Sequence, residues 1–257
     1  MGVEGPMTDQ PVYGRNPVLE LLRSGSRRAD EIAVLASGRG PALQELVARA
    51  RESGVKVSFR TREQLTAIAG TPHHQGVVAR VAEAQYATLE GLLALPDARG
   101  EAAFFLALDR VQDPRNLGAL LRVAEGAGAH GVILPKHHAA GLTGATAKAA
   151  MGAIEFLPVA RETNLVSVLE LLKKQGIWII GGVPIGGVPP WKVDFVIPLC
   201  LVMGGEGPGL RPLIARTCDF RVSLPMRGKV SSLNVAAAAA ALCYEVVRQR
   251  EKILPTP

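Results

Sequence analysis

Three stretches of the chain combine residue types that could hold a ligand or stabilise developing charge. The first, residues 108–128 (LDRVQDPRNLGALLRVAEGAG), places Asp113-Pro114 at a helix start, as an N-cap followed by the favoured first-turn proline. Leu117, Leu120, Leu121 and Ala124 then make an apolar stripe, with Asn116 in the first turn and Arg122 off the stripe. A guanidinium there could bind an anion; a solvated arginine on an ordinary helix explains it equally. The second stretch, residues 201–210 (LVMGGEGPGL), runs an apolar strand into Gly204, Gly205, Gly207 and Gly209 around a single Glu206. Glycines at the carboxyl end of a parallel strand let a ligand approach the backbone closely. The third, residues 224–250, leaves a strand at Leu224-Pro225 and passes Met226, Arg227 and Gly228. It enters a long helix that Ser231 or Ser232 would cap, after which Leu233 and Asn234 open the first turn.

Other chemistries are excluded by spacing. The glycine loop is not GxGxxG, its glutamate would repel a pyrophosphate, and no GxxxxGK[ST] occurs. GxSxG is missing, so no hydrolase nucleophile elbow is legible. His73-His74 and His137-His138 are adjacent pairs, and chain neighbours do not face one metal together. The reading is therefore of a site with no metal. Cys200, Cys218 and Cys243 are too widely spaced for a zinc cluster and odd in number, which fits a reducing compartment.

The elements that must position these residues alternate. Helix signals open at Asn16-Pro17 and across 43–50, and strands are expected at 31–36, 55–59 and 76–81, with a short helix at 63–69 between the last two. Residues 1–11 read as a flexible tail, 12–82 as a small α/β domain and 83–102 as a linker. In 103–257 strands are expected at 104–108, 132–134, 177–180, 199–203 and 220–224. Helices are expected from Pro114, at 145–151 and 165–174, briefly after Gly209, and at 234–250. Strands separated by helices predict a mostly parallel sheet covered on both faces.

The chain has 257 residues, 48% apolar and 20% charged, which excludes a disordered or fibrous protein. No secretory signal opens it and no apolar run is long enough to span a membrane, so a soluble, cytoplasmic protein is expected. The net charge is +6, with a pI near 9.5, which permits a polyanionic partner. Residues 1–100 carry 12 basic and 11 acidic side chains, residues 101–257 carry 17 and 12, so the excess lies in the second part. Aromatic residues are only 4% of the chain, which favours phosphate and shape contacts over base stacking.

Taken in order, Asp113-Pro114-Arg115-Asn116-Leu117-Gly118 with Arg122, Gly204-Gly205-Glu206-Gly207, and Pro225-Met226 with Gly228 and Ser232-Leu233-Asn234 resemble the SpoU/TrmH branch of the SPOUT methyltransferases. YGRNPVLELL (13–22) and HQGVVARV (74–81) are similar to the two ends of the L30e-like RNA-binding domain of its RlmB-like subgroup. The resemblance implies an L30e-like α/β domain followed by a SPOUT catalytic domain with a C-terminal trefoil knot. It implies 2′-O-methylation of a ribose, at a guanosine of 23S rRNA, with S-adenosylmethionine, by a homodimer. A tRNA 2′-O-methyltransferase and a non-catalytic RNA-binding relative are the alternatives. The Gly/Pro-rich loop 183–194 and Ala236, where the subgroup often has serine, are departures.

The same resemblance implies that Gly182, Val183, Gly204, Gly205, Glu206, Gly207, Leu224, Met226, Ser232 and Leu233 hold the cofactor. Arg122, Glu206, Ser232 and Asn234 fall on catalytic positions, and Arg15, His74, Arg115, Asn116, Arg122 and Arg227 on RNA-contacting ones. A guanidinium is not deprotonated in proteins, so Arg122 would bind phosphate and stabilise a developing alkoxide rather than act as base. Glu206 and Asn234 would position that arginine, the ribose or the cofactor loop.

Overall fold

The computed structural model describes residues 10–82, 84–205 and 209–251. The chain divides into two compact units. One comprises the described residues up to Gln85 together with Gly141–Phe156, the other Tyr86–Ala140 together with the described residues from Leu157 onward.

The first unit begins with β1 (Gln10–Tyr13), α1 (Arg15–Ser24), β2 (Ala29–Leu35) and α2 (Pro41–Glu52). It continues through β3 (Lys56–Arg60), α3 (Arg62–Ala69) and β4 (Val77–Val81). The sheet order is β1-β4-β2-β3, with β4 antiparallel to both neighbours and β2 parallel to β3. One reading from sequence is corrected here. Residues 10 and 11, assigned to a flexible tail, lie in β1, which pairs with β4 some 70 residues away. Pro11 is tolerated because β1 is an edge strand. The sheet of this unit is mixed, because β4 returns antiparallel between β1 and β2.

In the second unit, α4 (Leu89–Leu93) and α5 (Leu95–Arg99) precede β5 (Phe104–Asp109), α6 (Pro114–Gly126) and β6 (Gly131–Pro135). Helix α7 (Gly144–Ala150) belongs to the first unit, and β7 (Val159–Glu162) resumes the second. Then come α8 (Leu165–Lys174), β8 (Trp178–Gly182), β9 (Leu199–Gly204), α9 (Pro212–Thr217), β10 (Phe220–Val222) and α10 (Val235–Glu251). The six strands, ordered β10-β8-β9-β5-β6-β7, are all parallel. Strands β5, β6 and β9 are buried at every residue, as continuous apolar runs in a two-sided sheet must be.

The predicted stripe on α6 is fully buried at Leu117, Leu120, Leu121 and Ala124. On α8, Leu165, Val168, Leu169 and Leu172 recur at helical spacing and join Phe105, Ile133, Ile179 and Val202 in one core. Helix α10 packs against α6 and the ends of β8 and β9, burying Ala236, Ala239, Leu242, Cys243 and Val246. Among the described residues no helix is long and apolar enough to cross a membrane.

Two boundaries differ from the expectation. The stretch 83–102, read as linker, contains α4 and α5; Leu92 is wholly buried in the second unit's core, and Ala87 bridges Ala160 in β7. Residues 141–156, read as part of the second domain, pack with the first. Ala147 shares a core with Val12, Val18, Leu21 and Ile32, and Glu155 forms an ion pair with Arg27 inside it. A discontinuous unit leaves no mark in local periodicity, because its partners are distant in the chain.

Candidate active site

The carboxyl ends of β8, β9 and β10 open into one cavity of about 480 Å³, within the usual range for a small-molecule site. Gly182 and Val183 line it from the end of β8, Met203, Gly204 and Gly205 from the end of β9, and Val222 from β10. The segment entering α10 closes it with Leu224, Met226, Ser231, Ser232, Leu233 and Asn234. Of the residues expected to hold a cofactor, the described ones are therefore brought together. Glu206 and Gly207 lie outside the described residues.

The glycines are required by close approach. A Cβ on Gly204 would lie 2.2 Å from the carbonyl carbon of Gly209, and one on Gly205 would lie 2.1 Å from the Arg110 carbonyl oxygen. The chain thus doubles back on itself at this strand end, with Gly205 and Gly209 bridged. Asp109, the last residue of β5, pins both flanks of this loop. Its backbone carbonyl accepts from Gly205 N (2.8 Å), and its carboxylate accepts from Arg211 N (2.9 Å) and Arg211 Nε (2.7 Å). The carboxylate is fully buried while Arg211 stays 39% exposed. Sequence reasoning passed over Asp109; the available signal was an acid ending the otherwise apolar strand FFLALD, where burial demands a partner.

The Gly/Pro-rich loop after β8 is stitched to β10. Val183 N donates to Val222 O, Val188 N to Arg221 O and Ser223 Oγ to Gly187 O (2.9 Å each), and a Cβ on Gly187 would strike the Val222 backbone at 2.5 Å. This loop supplies Pro184 and Ile185 to the cavity wall.

The serine cap expected for the long helix is replaced by Asn234. Its Oδ1 accepts from Ala236 N (2.9 Å) and Ala237 N (3.4 Å), while its Nδ2 donates to Asn116 Oδ1 at 3.0 Å. One side chain thus caps α10, faces the cavity and ties it to the first turn of α6. The Asp113 cap of α6 is present, its carboxylate accepting from Arg115 N at 2.7 Å. That bond holds the Asp113 carboxyl below its ordinary value.

Arg122 is exposed on α6, outside the cavity lining, and no described carboxylate pairs with it. Arg115 and Arg227 are exposed, as is Arg15 in the first unit. His74 is the exception among the expected RNA contacts. It is 1% exposed, its Nδ1 accepts from Gly76 N (3.0 Å) and its Nε2 lies 3.3 Å from Thr66 Oγ1. One ring nitrogen serves the turn at Gly76 and the other faces Thr66 of α3, so the ring is taken up inside the first unit. Among the described residues no group of three or more His, Cys, Asp or Glu is placed to hold a metal.

Of the basic side chains clustered late in the sequence, Arg211 is held by Asp109 and Arg248 by Glu245. Arg250 donates to the carbonyls of Ala102, Ala103, Phe195 and Ile197. Part of the positive excess is thus committed to the fold.

Residues 103–244 match the SpoU rRNA Methylase family, and residues 11–87 match the family described as RNA 2′-O ribose methyltransferase substrate binding. The 23S rRNA (guanosine-2′-O-)-methyltransferase RlmB of Ralstonia nicotianae is 43% identical over 94% of this chain and 96% of its own length. Its namesake from Shewanella oneidensis is 39% identical over 93% of this chain and 97% of its own. The crystal structure of the SpoU methyltransferase AviRb from Streptomyces viridochromogenes in complex with AdoMet superposes with a TM-score of 0.77 at 27% identity. It covers 94% of this chain and 90% of that one.

Proposed function

The chain belongs to the SpoU rRNA methylase family, and from that premise we propose that it methylates a ribose 2′-hydroxyl in 23S rRNA, at a guanosine, using S-adenosylmethionine. The observation that carries this reading is the cavity itself, where glycine backbone from β8 and β9 meets Ser232, Leu233 and Asn234.

The residues present fit S-adenosylmethionine. Met203, Val222, Leu224, Met226 and Leu242 offer an apolar wall for a nucleoside, and Gly182, Gly204 and Gly205 offer backbone that no Cβ shields. When bound, the cofactor supplies an electrophilic methyl group, so the difficulty lies with the ribose hydroxyl, a poor nucleophile until its proton moves. Arg122 is the cation for the phosphate beside that hydroxyl and for the negative charge that develops on its oxygen. Asn234, locked by the α10 amides and Asn116, holds the ribose-facing edge of the cavity in one orientation. Ser232 and Glu206 complete the positioning set, and Arg115, Asn116 and Arg227 extend the RNA contact.

Arg122 lies on an exposed face outside the cavity lining, which favours a homodimer in which a second copy brings its own α6 to this site. The trefoil knot formed by the C-terminal segment belongs to the same reading. So does the domain assignment, with an L30e-like unit that recruits RNA. A cytoplasmic location accords with an RNA substrate and three unpaired cysteines.

Ribose methylation mapped on rRNA and tRNA from a deletion strain tests the proposal. Loss at one 23S guanosine is expected; a change confined to tRNA, or an unchanged map, overturns the substrate.

A further inference from the structure

The first unit is close to neutral, yet its family description is substrate binding. Its structure sorts the arginines. Arg23 pairs with Glu20 and Glu45, Arg27 with Glu155, and Arg60 with Glu31. Arg15 and Arg62, the first residues of α1 and α3, form no ion pair among the described residues, and both line a cleft of about 350 Å³. Glu63, the acid beside Arg62, is hydrogen-bonded by its own backbone N–H and by Thr61 and acts on Arg62 only through a weaker charge attraction, without an ion-pair contact.

The cleft has two chemically distinct sides. On one, Gln75 sits at φ 55° ahead of Gly76 at φ 80°, and its Oε1 accepts from Arg15 N at 3.1 Å. That bond leaves the Gln75 amide nitrogen to donate elsewhere. Arg15, Arg62 and Gln75 are all exposed, and Arg15 Nε donates to the Gln75 carbonyl at 3.4 Å, which leaves the rest of that guanidinium open to solvent. On the other side Leu35 and Leu43 form an apolar floor. Gly38 keeps that floor open at its edge, since a Cβ there would meet Leu43 Cδ2 at 2.7 Å.

We propose that this cleft holds one unpaired nucleotide of the RNA substrate, its phosphodiester bound by Arg15 and Arg62 and its base or ribose face laid on Leu35 and Leu43. Two guanidinium forks suit a phosphodiester's paired oxygens. An apolar floor beside them suits a splayed-out base, because bases inside an A-form duplex stay stacked and out of reach. The near-neutral unit therefore binds RNA through a local pair of exposed arginines, neither in an ion-pair contact among the described residues, rather than an overall field. The identity of the polymer rests on the methyltransferase reading; the cleft and its anion preference do not.

The test uses the full chain and fluorescence anisotropy with two labelled RNAs, a hairpin with an unpaired loop and a fully paired duplex. R15A/R62A is expected to bind the hairpin about tenfold more weakly, with the slope of log affinity against log salt reduced by about 1. Duplex binding should be unchanged, and R15K/R62K, which keeps the charge without the fork, should recover part of the loss. R28A/R51A removes two other exposed arginines of the same unit and should leave hairpin binding near wild type. Equal weakening by the two alanine pairs, equal loss on hairpin and duplex, or no loss at all would overturn the cleft. Calorimetry with S-adenosylhomocysteine separates the two readings. Binding retained by R15A/R62A places the defect in RNA capture, whereas a wild-type chain that fails to bind it refutes the methyltransferase assignment and leaves the anisotropy result standing.

Discussion

The buried pair of Asp109 and Arg211 should respond asymmetrically to loss of either partner. Arg211→Ala leaves a carboxylate with no exposure and only the Arg211 backbone amide to satisfy it. Breaking a buried pair in this way costs about 3–5 kcal/mol. Asp109→Ala instead leaves a guanidinium that is 39% exposed and can take up water. Its cost is the loss of two charge-assisted hydrogen bonds, discounted for that exposure, or about 2 kcal/mol. The double variant should cost less than the sum, because no unpaired carboxylate remains. Both tryptophans, Trp178 and Trp191, lie in the second unit, so urea unfolding followed by their fluorescence reports the unit that contains the pair. The cavity should register the same change. Asp109 holds the loop at residues 205 and 211, and loosening one end should weaken S-adenosylhomocysteine binding by about tenfold, or about 1.4 kcal/mol. Asp109→Ala costing as much as Arg211→Ala, or additive costs in the double variant, would refute the argument that burial of the carboxylate sets the energy.

Three further outcomes are expected. Arg122→Ala should lower methyl transfer to 23S rRNA by about 100-fold or more while shifting stability by less than about 0.5 kcal/mol, since the side chain is exposed; wild-type turnover would remove it from the reaction. Asn234→Ala should cost about 1 kcal/mol for the lost cap of α10. A double-mutant cycle with Asn116→Ala should show coupling of about 0.5 kcal/mol or more, and independence of the two would break the proposed link. Burial holds His74 and His130 below the ordinary histidine value of about 6.5, aided at His74 by Arg62 and opposed at His130 by Glu101. The unfolded chain takes up these protons before the native one does, so the stabilisation is present above about 6.5 and is lost as pH falls through the lowered native values. Stability measured between pH 7 and 5 should decline, less so in His130→Gln, and a flat profile would contradict the direction.

Much of the site was legible because its residues are local in the chain. The α6 stripe, the Asp113 cap and the glycine run after an apolar strand each occupy a single helix or one strand end, where periodicity and capping rules operate. The cap of α10 shows the limit. Two serines sit at plausible positions, yet Asn234 takes the role because only it also reaches Asn116, 118 residues earlier. His74 fails for a similar reason. A histidine in a polar turn looks available until Thr66 and Gly76 fold over both ring nitrogens.

The sequence by itself determined the alternation of strands and helices, the buried faces of α6 and α8, the glycine loop and the family resemblance. These follow from side-chain periodicity and from backbone positions where only a residue without Cβ fits. The tertiary structure alone decided which distant segments share a core. It put β1 beside β4, moved residues 141–156 into the first unit, buried Leu92 and placed Asp109 against Arg211. Such pairings are settled by which apolar surfaces and buried polar groups can be satisfied together, a global condition that no local window contains.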